Sequence, residues 1–150
     1  MKKILMSAAT LLLVTACATE GSEMNKDSNI VTAKDLQHHN YVLTEIDGKA
    51  YRTKKNAMSP NIAFGEKMNI TGEMCNNYFG QGQLKNGVLT AKGVGMTRMF
   101  CDDSTLNQLD QKISQLLEDG AKVSLEDDGR NLILSNDKTT LKFWLKDFVN

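Results

Sequence analysis

Proline is nearly absent, with one in 150 residues, and histidine and tryptophan are almost as scarce, with two and one. The histidines, His38 and His39, stand side by side in a polar N-terminal segment with no Ser-x-Gly elbow elsewhere, so a nucleophilic triad has no material to be built from. Neighbouring residues on a helix point about 100° apart, which makes this pair a solvated helix end rather than a shared metal site. Cys-x-x-Cys is missing, which leaves thioredoxin-like exchange and a zinc knuckle unsupported. Neither sign of charge prevails: Lys and Arg number 18 and so do Asp and Glu, a balance that steers no nucleic acid. No apolar run reaches the roughly 20 residues that a membrane-spanning helix requires. Gly80-Gln81-Gly82 opens no helix and reads as a strand bend, not a phosphate cradle. Asp102-Asp103 and Asp127-Asp128 fall at a helix start and a turn, where acids are expected anyway. No catalytic residue, metal ligand or cofactor follows.

The chain does carry an address. Lys2 and Lys3 precede an apolar run over residues 4–14, and Val14-Thr15-Ala16-Cys17 places small residues immediately before a cysteine. This has the form of a bacterial lipoprotein signal over residues 1–16, with Cys17 as the lipidated first residue of the mature chain. Acyl chains then hold the protein to a membrane. The alternative is a plain secretory leader in which the cysteine is incidental. Ala18, rather than Asp, after the cysteine favours the outer membrane, with the domain facing the periplasm. Residues 17–31 are polar and read as a lipidated, flexible tether. With 41% hydrophobic and 24% charged residues, the remainder, 32–150, is expected to form one soluble domain.

Three cysteines less the lipidated one leave Cys75 and Cys101 in an oxidising compartment, where they are expected to pair rather than remain buried thiols. A bond across that separation would contribute about 3–4 kcal/mol by loop closure. It would tie the middle of the chain, residues 68–82, to the segment 93–101 that enters the following helix. In the central stretch, period-2 alternation on either side of Gly72 predicts two extended segments with a bend at that glycine. Elsewhere the signals are local. Thr32 with Asp35 resembles a capping box and predicts a short helix to about residue 38. Residues 40–46, 61–64, 88–91, 122–126, 132–135 and 139–145 alternate as strands, and turn signals lie at Asp47-Gly48, Asn86-Gly87 and Asp128-Gly129. Ser104 is placed to cap a helix whose stripe is Leu106, Leu109, Ile113, Leu116 and Leu117, with Gly120 as its stop. Runs of strands with one long helix predict an α+β domain, a curved and mostly antiparallel sheet with the helix packed on it.

Two surface features stand out. Lys49, Arg52, Lys54 and Lys55 form a basic loop, ordinarily just solvated, that could receive an anionic partner such as lipopolysaccharide phosphates. On the last strand Trp144 shares a face with Lys142 and Lys146, away from Leu141, Phe143 and Leu145, so either neighbours cover the ring or it serves as a contact for a protein or an anionic headgroup.

Met74-Cys75-Asn76 with Phe79-Gly80, then Ala91-Lys92-Gly93, Met96-Thr97-Arg98-Met99 and Cys101, resembles the META-domain family over nearly the whole mature chain. Met74 departs from the small residue that the family usually carries there. The resemblance implies a small α+β domain without catalytic residues, and members associated with stress, motility or virulence. The leading expectation is a non-enzymatic outer-membrane lipoprotein of the heat-shock and envelope stress response. It would support envelope integrity, or tolerance to toxic compounds such as antibiotics, through a surface that binds an envelope protein or lipid. A pilot- or chaperone-like lipoprotein holding an apolar segment or lipid in a groove between helix and sheet is the alternative. A hydrolase or thiol enzyme, which needs a polar cleft with perturbed ionisable groups, is the third.

Overall fold

The computed structural model describes residues 30–55 and 57–147. The leader, Cys17 and all of the expected tether but its last two residues lie outside these. Ile30 is exposed, but Val31 is only 8% accessible and joins the core, so the folded domain starts one residue earlier than expected. An apolar side chain directly before a helix cap has a core to bury against.

The first helix, α1 (Ala33–Leu36), is a single turn, because His38 adopts a left-handed φ of 67° that no helix continues through. The Asp35 carboxylate accepts the Thr32 N–H at 2.7 Å and the Thr32 hydroxyl at 2.6 Å. Then follow β1 (Asn40–Ile46), β2 (Lys49–Ala50), β3 (Asn61–Phe64), β4 (Asn69–Glu73), β5 (Asn77–Lys85), β6 (Val88–Ala91) and β7 (Gly95–Met96). The long helix α2 (Ser104–Asp119) leads into β8 (Ala121–Glu126), β9 (Asn131–Ser135) and β10 (Thr140–Leu145). The Asp47-Gly48 and Asn86-Gly87 turns have both residues at positive φ, 49° and 79°, 52° and 74°, as tight hairpins on twisted strands require.

Every pairing is antiparallel, in the order β1, β3, β4, β5, β6, β8, β9, β10, and β10 returns to β1 through registers such as Tyr41↔Leu145 and Leu43↔Phe143. The expected curved sheet is therefore a closed eight-stranded barrel. Alternation along a strand says which side faces in but not which strand lies beside it, so closure between the first and last strands left no local trace in the sequence. The interior is filled by Tyr41, Leu43, Ile62, Phe64, Ile70, Tyr78, Leu89, Leu134, Leu141 and Phe143, each at most 3% accessible.

Gly72 does not bend the chain as expected. It lies within β4, where the Tyr78 ring crosses it to donate to the Asn61 carbonyl at 2.9 Å, and a Cβ on residue 72 would sit 2.4 Å from the tyrosine oxygen. The chain reverses instead at residues 74–76. This puts Tyr78 inside and Phe79 outside, 60% accessible.

α2 lies across the mouth at which β1, β4 and β9 end. Lys112 reaches Asp47 at 2.8 Å in the β1–β2 turn, and Asp110 reaches the turn after β4. Its cap is Asp103, whose carboxylate accepts the Thr105 N–H at 2.9 Å, and not the expected Ser104. Leu109, Ile113, Leu116 and Leu117 are buried to 1% or less, so the side of the helix towards the sheet is packed, not an open groove.

Replacing Ile113 with Ala is expected to cost about 2–5 kcal/mol, as deleting fully buried branched side chains does, read as a lower denaturant midpoint. Hydrogen bonds from Lys112 and from the Thr140 backbone hold the Asp47 carboxyl below its ordinary 3.8. A depressed folded pKa gives stability that is present above the unfolded value and lost as pH falls through the folded one. Asp47→Asn is therefore expected to flatten the loss of stability below about pH 4, measured by denaturant titration across that range.

Candidate functional site

The features that stand apart from ordinary core and solvated surface gather at the mouth covered by α2. Cys75 and Cys101 are joined there, with their Cα atoms 5.9 Å apart, so residues 75 and 101 hold no free thiol for nucleophilic chemistry. Beside the disulfide, a buried carboxylate organises the turn. Asp110, 8% accessible, accepts the backbone N–H groups of Cys75 at 3.1 Å and Asn76 at 3.0 Å on one oxygen, and the Asn76 amide at 2.7 Å on the other. The Asn76 side chain in turn imitates a strand: its oxygen accepts the Met99 N–H at 2.6 Å and the Thr97 hydroxyl at 2.9 Å, while its nitrogen also donates to the Met99 carbonyl at 3.0 Å. Asn107, one turn into α2, accepts the Cys101 N–H at 3.1 Å and donates back to its carbonyl at 2.7 Å. Residues 97–101 thus have almost no regular secondary structure and yet are held at Thr97, Met99 and Cys101.

Between these anchored backbone positions the side chains point outward. Phe100 is 87% accessible and Met99 58%, and on the facing loop Met58 is 68% accessible. Tyr51, Ala57, Met58, Phe100 and Leu106 line a hollow of about 420 Å³ with Lys54 and Asp103 at its edge, those two paired at 3.1 Å. That pairing and the Thr105 N–H hold the Asp103 carboxyl low, and burial with the nearby Asp103 charge raises the Tyr51 hydroxyl. Lys55 and Arg52 on the same loop, and Arg98 beside Met99, are exposed and make no ion pair with a described residue.

The other expected surface is only partly brought to this one. Trp144 lies on the outer face, 43% accessible, and the ring is covered by Arg130, whose guanidinium sits 5.8 Å from its centre, rather than by the lysines beside it. Lys142 is turned to Glu126 at 3.2 Å. Lys146 lines a second hollow with Val42, Met58 and Ser59, so the Ala57-Met58 segment has Lys146 on one side and Lys54 on the other. At the opposite end of the barrel His39 contacts Asp147 and packs edge-on against Tyr41, whose hydroxyl is pushed up to about 12 by burial and by the charges of Asp147 and Asp35. His38 and His39 do not converge on a common ligand.

Sequence reasoning missed Asp110, Met58 and Phe100, and met Asn76 and Met99 only as motif residues without a role. A signal for the first existed: position 110 falls on the apolar stripe, between Leu106 and Ile113 at helical spacing, where a carboxylate must be buried and therefore partnered.

A small antiparallel barrel with one long helix across its mouth and a cystine beside it defines the class. The META domain model matches residues 34–148, and the chain belongs to the META domain family. It is similar to "Heat shock protein HslJ" of Escherichia coli (strain K12), 44% identical over 150 residues and the whole of both chains. Among solved structures, one NMR structure is 48% identical, covering 80% of this chain and 99% of its own at a TM-score of 0.71. A second, from Burkholderia xenovorans, is 23% identical and shares the fold at a TM-score of 0.62, covering 77% of this chain and 87% of its own.

Asp110→Ala would leave three donors without an acceptor, so a loss of about 2–5 kcal/mol is expected. In a double-mutant cycle with Asn76→Ala the two losses should couple by about 0.5–3 kcal/mol because they share one network. Additive losses would separate the two residues energetically.

Proposed function

We propose that this protein is a non-enzymatic lipoprotein of the outer membrane, anchored through Cys17, which supports the envelope under heat or chemical stress by binding a protein or lipid through its surface. The observation that carries the reading is the use of cysteine. Cys75 and Cys101 are consumed by each other, and the remaining one stands directly after a lipoprotein-like leader. A cystine persists in an oxidising compartment, which agrees with such an export route. The link to stress rests on the name of the E. coli relative, which matches along its full length. The pilot- or chaperone-like alternative draws support from one feature, the partly apolar hollow between Met58 and Phe100. It draws none from the helix–sheet groove first considered, whose stripe is buried and whose flanking hollow is lined by Gln108, Gln111, Lys112 and Gln115.

Intact mass of protein extracted from membranes is expected to show acyl chains on Cys17. Cys17→Ser should release a folded domain from the membrane fraction, whereas full retention of the variant would place the attachment elsewhere.

A further inference from the structure

We propose that residues 52–55, 57–58 and 98–100 form a docking tip for the anionic headgroup surface of a bilayer, with Phe100, Met99 and Met58 entering the interface and Arg52, Lys55 and Arg98 meeting lipid phosphates. This deepens the reading above, on which it rests for the presence of a membrane.

Three large apolar side chains more than half accessible on two adjoining loops are not what a solvated surface requires. Phe100 at 87% is nearly as exposed as a side chain can be, although the backbone on either side of it is fixed at Met99 and Cys101. A projecting aromatic on a rigid backbone costs little conformational entropy when it enters an interface. The charges around it select the occupant. Lys54 is matched by Asp103, leaving Arg52, Lys55 and Arg98 without a described partner, against Asp102 as the one unpaired acid among the residues lining the hollow. Apolar side chains ringed by an excess of cations complement a surface that is anionic at the headgroups and apolar beneath them. An apolar protein groove would satisfy the first property and not the second.

The geometry permits contact with the membrane that holds the anchor. The described chain begins at Ile30, beside Gly87 at the far end of β5, while the tip lies at the Asn77 end. Nine residues of strand separate those ends by about 30 Å. The thirteen residue-to-residue steps from Cys17 to Ile30 have an extended reach of about 43–47 Å, enough to pass the barrel.

The test places the only tryptophan at the tip. In the full chain carrying Trp144→Phe and Phe100→Trp, emission is read with phosphatidylcholine vesicles, with or without phosphatidylglycerol, whose acyl chains are brominated. Recruitment by the leader, whose Lys2 and Lys3 favour the anionic vesicles, or by the anchor does not by itself put position 100 in the bilayer, so only the location of position 100 is scored, and failure of the anchor reading would show separately in the Cys17→Ser fractionation. Emission at position 100 is expected to shift blue and be quenched only with phosphatidylglycerol, while Trp144 in the native chain is unchanged. Combined Arg52→Ala, Lys55→Ala and Arg98→Ala should weaken that response by roughly fivefold per cation removed; these side chains are exposed and make no hydrogen bond or ion pair with a described residue. No quenching, equal quenching without the anionic lipid, or equal quenching at Trp144 would overturn the proposal. So would a photo-crosslinker at position 100 that captures a protein instead of lipid in whole envelopes.

Discussion

One buried carboxylate holds the mouth of this barrel together. A closed sheet has paired its strands with one another but leaves its ends open, and the end at which β1, β4 and β9 finish is covered by a helix that directly follows neither β4 nor β5 in the chain. Asp110 supplies the connection. It is an acceptor for the turn between those strands and, through Asn76, for the segment that leads into its own helix. A carboxylate in such a place is costly unless every lone pair is used, so the helix has one seat in which the anion is satisfied. The cystine acts on the same turn but limits the unfolded chain more than it positions the folded one. The two devices therefore differ in kind: one selects the geometry, the other narrows the alternatives.

Local chemistry was legible in the sequence, and the closure was not. Asp47-Gly48 and Asn86-Gly87 are turns because both residues must take positive φ, a demand that shows in residue type alone. β1 and β3 were bounded correctly by alternation, and Leu109, Ile113, Leu116 and Leu117 by helical spacing. Two readings failed for a shared reason, that another group decided them. Gly72 is small because Tyr78 crosses it, not because the chain bends. Asp103 takes the cap in place of Ser104, one residue earlier, where its carboxylate also meets Lys54. The expectation that neighbours cover Trp144 left the neighbour open, and it is Arg130, beside the cross-strand partner Asn131, that lies over the ring. The barrel itself depends on the first strand meeting the last, a contact of about a hundred residues in sequence separation that no local pattern encodes.

The site was legible in its cysteines and in the basic loop that carries Arg52, Lys54 and Lys55, but not in its apolar side chains. Cys75 and Cys101 identified the region, and the fold fixes the backbone of residues 97–101 there while leaving Met99 and Phe100 outside. Fixed backbone under exposed apolar side chains is an arrangement that folding alone does not reward. It is the common ground of the two proposals, a stress lipoprotein and membrane docking, since both need a surface that keeps its shape under stress.

The central claim, that Asp110 holds the turn and the tip as one unit, is tested most directly by native-state hydrogen exchange at the amides of Cys75, Asn76 and Met99. In the oxidised protein these three should exchange together, at the free energy of global unfolding. In oxidised Asp110→Ala they should fall together to a local opening, while the Leu134 and Phe143 amides keep the slower exchange of the barrel. Protection at the three amides that survives the substitution with the cystine intact would contradict the account, because it would assign the turn to the disulfide alone.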